Sequence, residues 1–263
     1  MTWLTSLPAA VLAAGGLVLA LLAAIGGRLA ALALLPPGER ESAYTIAAPL
    51  MPALGALFAL FMALSLAGEA SFLASAQGFV SNEAADASRL AWAATSPGVD
   101  SAPIQSALLR YLRATRANEW HGSSAADGDD PATADALAGL EGAVRAQAGR
   151  PAIGTPTSTE LLASLDALTN DRRARLAAAA HQLPALYVIV LALTGLALLL
   201  NAIVLTLRSG PRPALLVSGL AVVIGLSLAL LFAIGTPWRG SITVSGQPID
   251  AVVHDLVIGY FHR

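Results

Sequence analysis

Four stretches of the chain are almost entirely apolar: residues 8–35, 44–68, 184–207 and 213–234. A bilayer core about 30 Å thick is crossed by roughly 20 apolar helical residues, so each stretch is long enough to span it. The pattern predicts four transmembrane helices in two hairpins. The first hairpin fills 1–68 and the second 184–235. Pro49 and Pro52 are expected in the first turns of the second span, while Pro184 and Pro213 open the third and fourth, where a missing N–H costs least. The apolar run near the start is too long for a secretory h-region and has no preceding Lys or Arg, so it reads as a retained first helix.

Residues 69–183 have a different pattern, with charges spaced among Ala and Leu at helical intervals. Helices are predicted over 69–95, running on from the second span, and over 102–120, 132–149 and 159–182. They are broken at Ser96-Pro97-Gly98 and at 121–131. The tail, 236–263, predicts a short β-prone piece at 241–245 and then an amphipathic helix. In that helix Ile249, Val252, Val253, Leu256, Val257 and Tyr260 share a face, to be laid on the membrane surface or on the central helices. The fold expected is therefore an all-α integral membrane protein with a helical extramembrane domain and a short strand-helix tail. Its even span count puts both termini on one side with that domain.

Composition narrows the chemistry. Of 263 residues 56% are hydrophobic and only 12% charged; there is no cysteine, and all 15 basic residues are arginine. No disulfide, Cys-ligated metal or thiol nucleophile is available, and a net charge of −2 offers no basic surface for nucleic acid. There is no Gly-x-Ser-x-Gly elbow, no His-Glu-x-x-His and no phosphate loop, so the chain reads as a non-enzyme that needs no cofactor. Asp127, Asp129 and Asp130 sit in a loop without the later Gly and Glu of a calcium site; it reads as solvated, with no metal.

Charges and amides at unusual positions are the candidate functional residues. Arg28 falls near the far end of the first span, where snorkelling to the interface makes it an anchor, as are Trp238 and Arg239 after the fourth span. Asn201 lies two-thirds of the way along the third span and either lines a pore or bonds across helices. Glu83, Arg110, Glu119, Arg172 and Arg173 are embedded in Ala- and Leu-rich helices, where a charge is costly unless matched. They are expected to form inter-helix ion pairs, such as Glu83 or Glu119 with Arg172 or Arg173.

The order Asn82-Glu83-Ala84, Arg110-Tyr111, Glu119-Trp120, Arg172-Arg173-Ala174-Arg175-Leu176 before Pro184, and Pro237-Trp238-Arg239-Gly240-Ser241-Ile242 resembles the bestrophin-like domain family. These are membrane proteins, mostly bacterial and plant, without an established function. Tyr187 and Trp238 depart from the family's usual Trp and Phe but remain aromatic. The family is distantly similar to the bestrophins, pentameric anion channels with four spans per subunit and apolar aromatic constrictions. The resemblance implies a multi-pass protein of the inner (plasma) membrane, with its central domain and termini cytoplasmic. It also implies a homo-oligomer, pentameric by analogy, passing chloride or other small ions, with Phe58 and Phe61 as pore-lining candidates beside Asn201. A non-conducting membrane scaffold or interaction protein is the alternative. The bestrophin calcium clasp does not map onto this chain.

Overall fold

The computed structural model describes residues 9–34, 36, 38–120, 125, 130–181, 183–207, 211–235, 238 and 242–262. The helices are α1 (Ala9–Leu34), α2 (Glu39–Ala93), α3 (Ser101–Asn118), α4 (Pro131–Ala148), α5 (Thr155–Ala179), α6 (Ala185–Thr206), α7 (Pro211–Ile234) and α8 (Gln247–Val257), followed by a 3-10 turn, Tyr260–His262. Four of them, α1, α2, α6 and α7, are long and apolar enough to cross a bilayer.

The chain divides into two units. One holds residues 9–71, 183–235 and Ile242; the other holds 72–181, Trp238 and 243–262. In the first unit α1 packs mainly on α7, and α6 on both. Glycine sets the closest of these approaches: a Cβ on Gly225 would lie 2.8 Å from the Gly16 carbonyl oxygen and 3.2 Å from Ala20 Cβ. Lipid tails are as apolar as leucine, so helices in a bilayer gain little from the hydrophobic effect and depend on this close packing.

The long helix α2 starts earlier than its hydrophobic pattern predicts. Glu39 opens it, and Pro49 and Pro52 therefore stand inside the helix rather than in its first turns. Each removes an N–H from the ladder. In the same stretch, Asn201 Nδ2 on α6 donates to the Ala47 carbonyl at 3.0 Å, a cross-helix bond that ties α6 to α2. At the other end of this connection, Arg40 Nη2 donates to the Leu32 carbonyl at 3.0 Å, satisfying one of the acceptors left over at the end of α1.

The second unit is an α-helical core around α2, α3, α4 and α5. Asp100 caps α3 by accepting from Ala102 N–H, and Asp130 caps α4 by accepting from Thr133 N–H at 2.8 Å. The Thr133 N–H, then its hydroxyl at 2.8 Å, with help from Asn118, hold the Asp130 carboxyl below its ordinary range. Asp127 and Asp129 lie outside the described residues.

The strand expected at 241–245 is not there; among the described residues the chain has none. The physical reason is the partner. Gln77 on α2 presents its side-chain amide to this segment, donating from Nε2 to Ser245 O (3.1 Å) and accepting at Oε1 from Ser245 N–H (2.7 Å). One side chain thus satisfies both backbone groups that a second strand would have paired, and Val244 is buried beside it. The tail helix α8 then buries Ile249 and Val252 and packs on α3, while Val257 stays exposed.

Because Gly225 has no room for a side chain, Gly225→Ala should lower the melting temperature of the detergent-solubilised protein. Gly15→Ala, at a position with no heavy atom in contact range, should leave it unchanged. Differential scanning fluorimetry of the two variants makes the comparison.

Candidate buried charge network

Arg175 is the centre of the second unit. Its side chain has no exposed surface, which for a guanidinium requires partners on every side. Nε donates to Glu83 Oε2 on α2 at 2.6 Å, Nη2 to Glu119 Oε2 at 3.0 Å, and Nη1 to the Glu119 carbonyl at 3.3 Å. Tyr111 Oη on α3 donates to the other Glu83 oxygen at 2.6 Å. Arg172 Nη2 bonds the remaining Glu119 oxygen. Two arginines on α5 are therefore matched by two glutamates, one on α2 and one just past the end of α3, and both carboxylates use both their oxygens.

The network continues on its flank. The Trp120 ring takes the Arg175 guanidinium 5.6 Å from its centroid and that of Arg116 at 4.5 Å. Arg116 forks onto Asp250 of α8, with Nε and Nη2 at 2.7 and 2.9 Å from the two carboxylate oxygens. Gly246 makes room for that fork: a Cβ there would fall 2.4 Å from Arg116 Cζ. Arginine thus ties the tail helix to the central helices.

Electrostatics follow from this enclosure. Burial, then the Glu83 charge, pushes the Tyr111 hydroxyl well above its ordinary value, so it stays a donor. Burial works against the Arg175 cation, and Glu83 more than compensates, holding it above the usual arginine value. One turn away on each helix lie Asp86, three residues after Glu83, and Asp171, four before Arg175. Burial first, then a hydrogen bond and charge from Asp86, then the charge of Glu83, raise the Asp171 carboxyl to about 6. Asp171 therefore carries its own proton below about pH 6, where it hydrogen-bonds to Asp86.

Helical phase decides which arginine is inside. On α5 the buried residues Leu161, Leu165, Leu168, Arg172, Arg175 and Ala179 recur at intervals of four and three. Arg173 falls off that stripe and is exposed, bonding only locally to Asn170 Oδ1 at 3.1 Å. Arg110 is exposed as well. Of the expected pairs, Glu119 with Arg172 is made, while Glu83 bonds Arg175, which was not singled out for pairing. Continuing the Leu161–Leu168 heptad by one more repeat lands on Arg175, a signal present in the sequence.

The other candidates are placed in the first unit or outside it. Phe58 is buried, its ring packed on Gly195, where a Cβ would approach Phe58 Cε2 to 3.2 Å; Phe61 is half-buried beside the same cluster. Asn201 is buried on its bond to Ala47, with Met51 Sδ 3.4 Å from the same Nδ2. Arg28 is half-buried on α1. Trp238, expected as an interfacial anchor, is instead only 4% exposed and belongs to the core of the second unit. Arg239 lies outside the described residues.

The family model for the Bestrophin-like domain matches residues 18–249. The chain belongs to the bestrophin-like domain family. It is a membrane protein. No curated protein and no solved structure matches it. In this bestrophin-like chain several landmarks that carried the resemblance converge: Glu83, Tyr111, Glu119, Trp120, Arg172 and Arg175 come from four of its separate stretches and share one buried site.

Two predictions follow from the geometry. Arg175→Met leaves Glu83 and Glu119 buried without their cation and should cost about 3–5 kcal/mol of stability, whereas Arg173→Ala should fall within about 0.5 kcal/mol of the parent. Chemical denaturation followed by circular dichroism reads both. For Asp171 the folded carboxyl value is above the unfolded one, so its stabilising protonation is complete below the unfolded value and is lost as pH rises through about 6. Asp171→Asn should therefore raise the melting temperature at pH 8, and that gain should vanish near pH 4.

Proposed function

We propose that this bestrophin-like chain is a homo-oligomeric, anion-conducting channel of the inner (plasma) membrane, with its central helices and termini cytoplasmic and with α2 lining the conduction path. The observation that carries this reading is the bare face of α2. Ala56, Ala59, Ala63, Ala67, Ala70 and Ala74 recur at intervals of three or four and are all exposed. Next to them runs a second exposed row that changes character along the helix, from Leu57, Leu60 and Leu64 to Gly68, Ser71 and Ser75. The leucines suit a hydrophobic constriction, and the small and hydroxyl-bearing residues suit a wider, wetter segment. Small residues also allow equivalent helices to approach closely around a symmetry axis. Phe58 and Asn201 serve packing within the bundle, and Phe61 stands at the edge of the bare face.

A second reading, a non-conducting scaffold, is favoured by one feature of the other unit. Trp92 and Tyr260 meet edge to face, 5.8 Å between centroids, and are 45% and 44% exposed. Large aromatics in such a position suit a protein partner.

The absence of native cysteine allows a direct test. Protein carrying Ala63→Cys, reconstituted in liposomes, should conduct chloride in preference to potassium and should be blocked by a water-soluble thiol reagent. Leu193→Cys, on the exposed surface of α6, should conduct and be insensitive. Silence in several lipids from an intact oligomer would favour the scaffold.

A further inference from the structure

A second polar site lies in the membrane unit, apart from the proposed path. Gly27 of α1 sits so close to α6 that a Cβ would fall 2.9 Å from Ile203 Cδ1. The next residue, Arg28, lines a cavity of about 40 Å³ between α1, α6 and α7, together with Thr206, Ser218, Ile203 and Val217. That volume exceeds the roughly 10–15 Å³ needed for one water, so small polar atoms fit within it. Thr206 Oγ1 donates to the Ile203 carbonyl at 2.9 Å, so its proton is already committed within α6. Ser218 adds a second hydroxyl, and the rest of the lining is apolar.

Depth supports an interfacial ligand. Thr206 is the last residue of α6, Ser218 lies two turns into α7, and Arg28 is six residues short of the end of α1. At 1.5 Å per residue Arg28 stands about 9 Å below the end of α1, where it lines the same cavity as the last residue of α6. A guanidinium presents paired N–H donors that match a tetrahedral oxyanion, and phosphate is the anion that a bilayer supplies at this level.

We infer that Arg28, with Ser218, forms a binding site for a phosphate group, held between α1, α6 and α7 and supplied by a phospholipid headgroup or by free phosphate. The site is independent of conduction. Native mass spectrometry of the purified full-length chain in detergent tests it, with phosphatidylglycerol, diacylglycerol and inorganic phosphate as separate additives. Phosphatidylglycerol should be retained and diacylglycerol, which has the tails without the phosphate, should not. Arg28→Gln should weaken retention about tenfold, with Arg28→Lys between it and the parent. Ser218→Ala, a minimal change, should weaken it less. Retention of inorganic phosphate without phosphatidylglycerol would support the site and assign it to the free anion. Equal retention of phosphatidylglycerol and diacylglycerol by the parent, or an unchanged affinity in a folded Arg28→Gln, would overturn it.

Discussion

A guanidinium sealed inside a helical core must find its counter-charges there, and Arg175 meets that demand with Glu83 and Glu119. Removing such a cation from water costs several kcal/mol, recovered only when geometry is good and the remaining acceptors are filled. Both conditions hold. Tyr111 and Arg172 occupy the oxygens that Arg175 leaves, and the two positive charges equal the two negative ones. The consequence is registry. A slip of α2, α3 or α5 by one residue would strand a buried charge, whereas an Ala–Leu interface would tolerate the slip at little cost. The network specifies one arrangement of helices whose apolar faces, rich in alanine, specify little by shape.

The membrane unit solves the same problem with other means. Its spans carry few charges, Arg28 and Glu69 among them, and alignment draws on close contacts between small residues, Gly16 against Gly225 and Gly195 against Phe58, with the Asn201 amide as a polar tie to α2. A bilayer penalises unmatched polarity more than water does, so one hydrogen bond at a proline-interrupted stretch does what several charges do in the other unit. The face of α2 that none of these contacts covers is the surface on which the channel reading rests.

Much of this was legible in the sequence because its signals are strong. Twenty-residue apolar runs permit little else, and the breaks at Ser96-Pro97-Gly98 and before Pro131 mark where helices end. Other features depended on information that periodicity does not carry. The start of α2 escapes the hydrophobic pattern because Glu39 and Arg40 are polar, although polar residues with acids in the first turn suit a helix start. The piece at 241–245 has strand propensity, but a strand requires a partner, and what it meets is the Gln77 side chain. Trp238 has the composition of an interfacial anchor, and only the packing of the second unit reveals it as core. Choosing among Arg172, Arg173 and Arg175 needed the phase of the stripe begun by Leu161, a finer use of the pattern than counting charges.

The account stands or falls on whether Arg175 and its carboxylates act as one unit. A double-mutant cycle over Glu83→Gln and Arg175→Met, read by equilibrium denaturation in detergent, measures this directly. The account predicts that the double variant loses less than the sum of the single losses, by more than about 1 kcal/mol, because each single change strands the partner that the second one removes. Losses that add within about 0.5 kcal/mol would show that the two residues contribute separately and would contradict it.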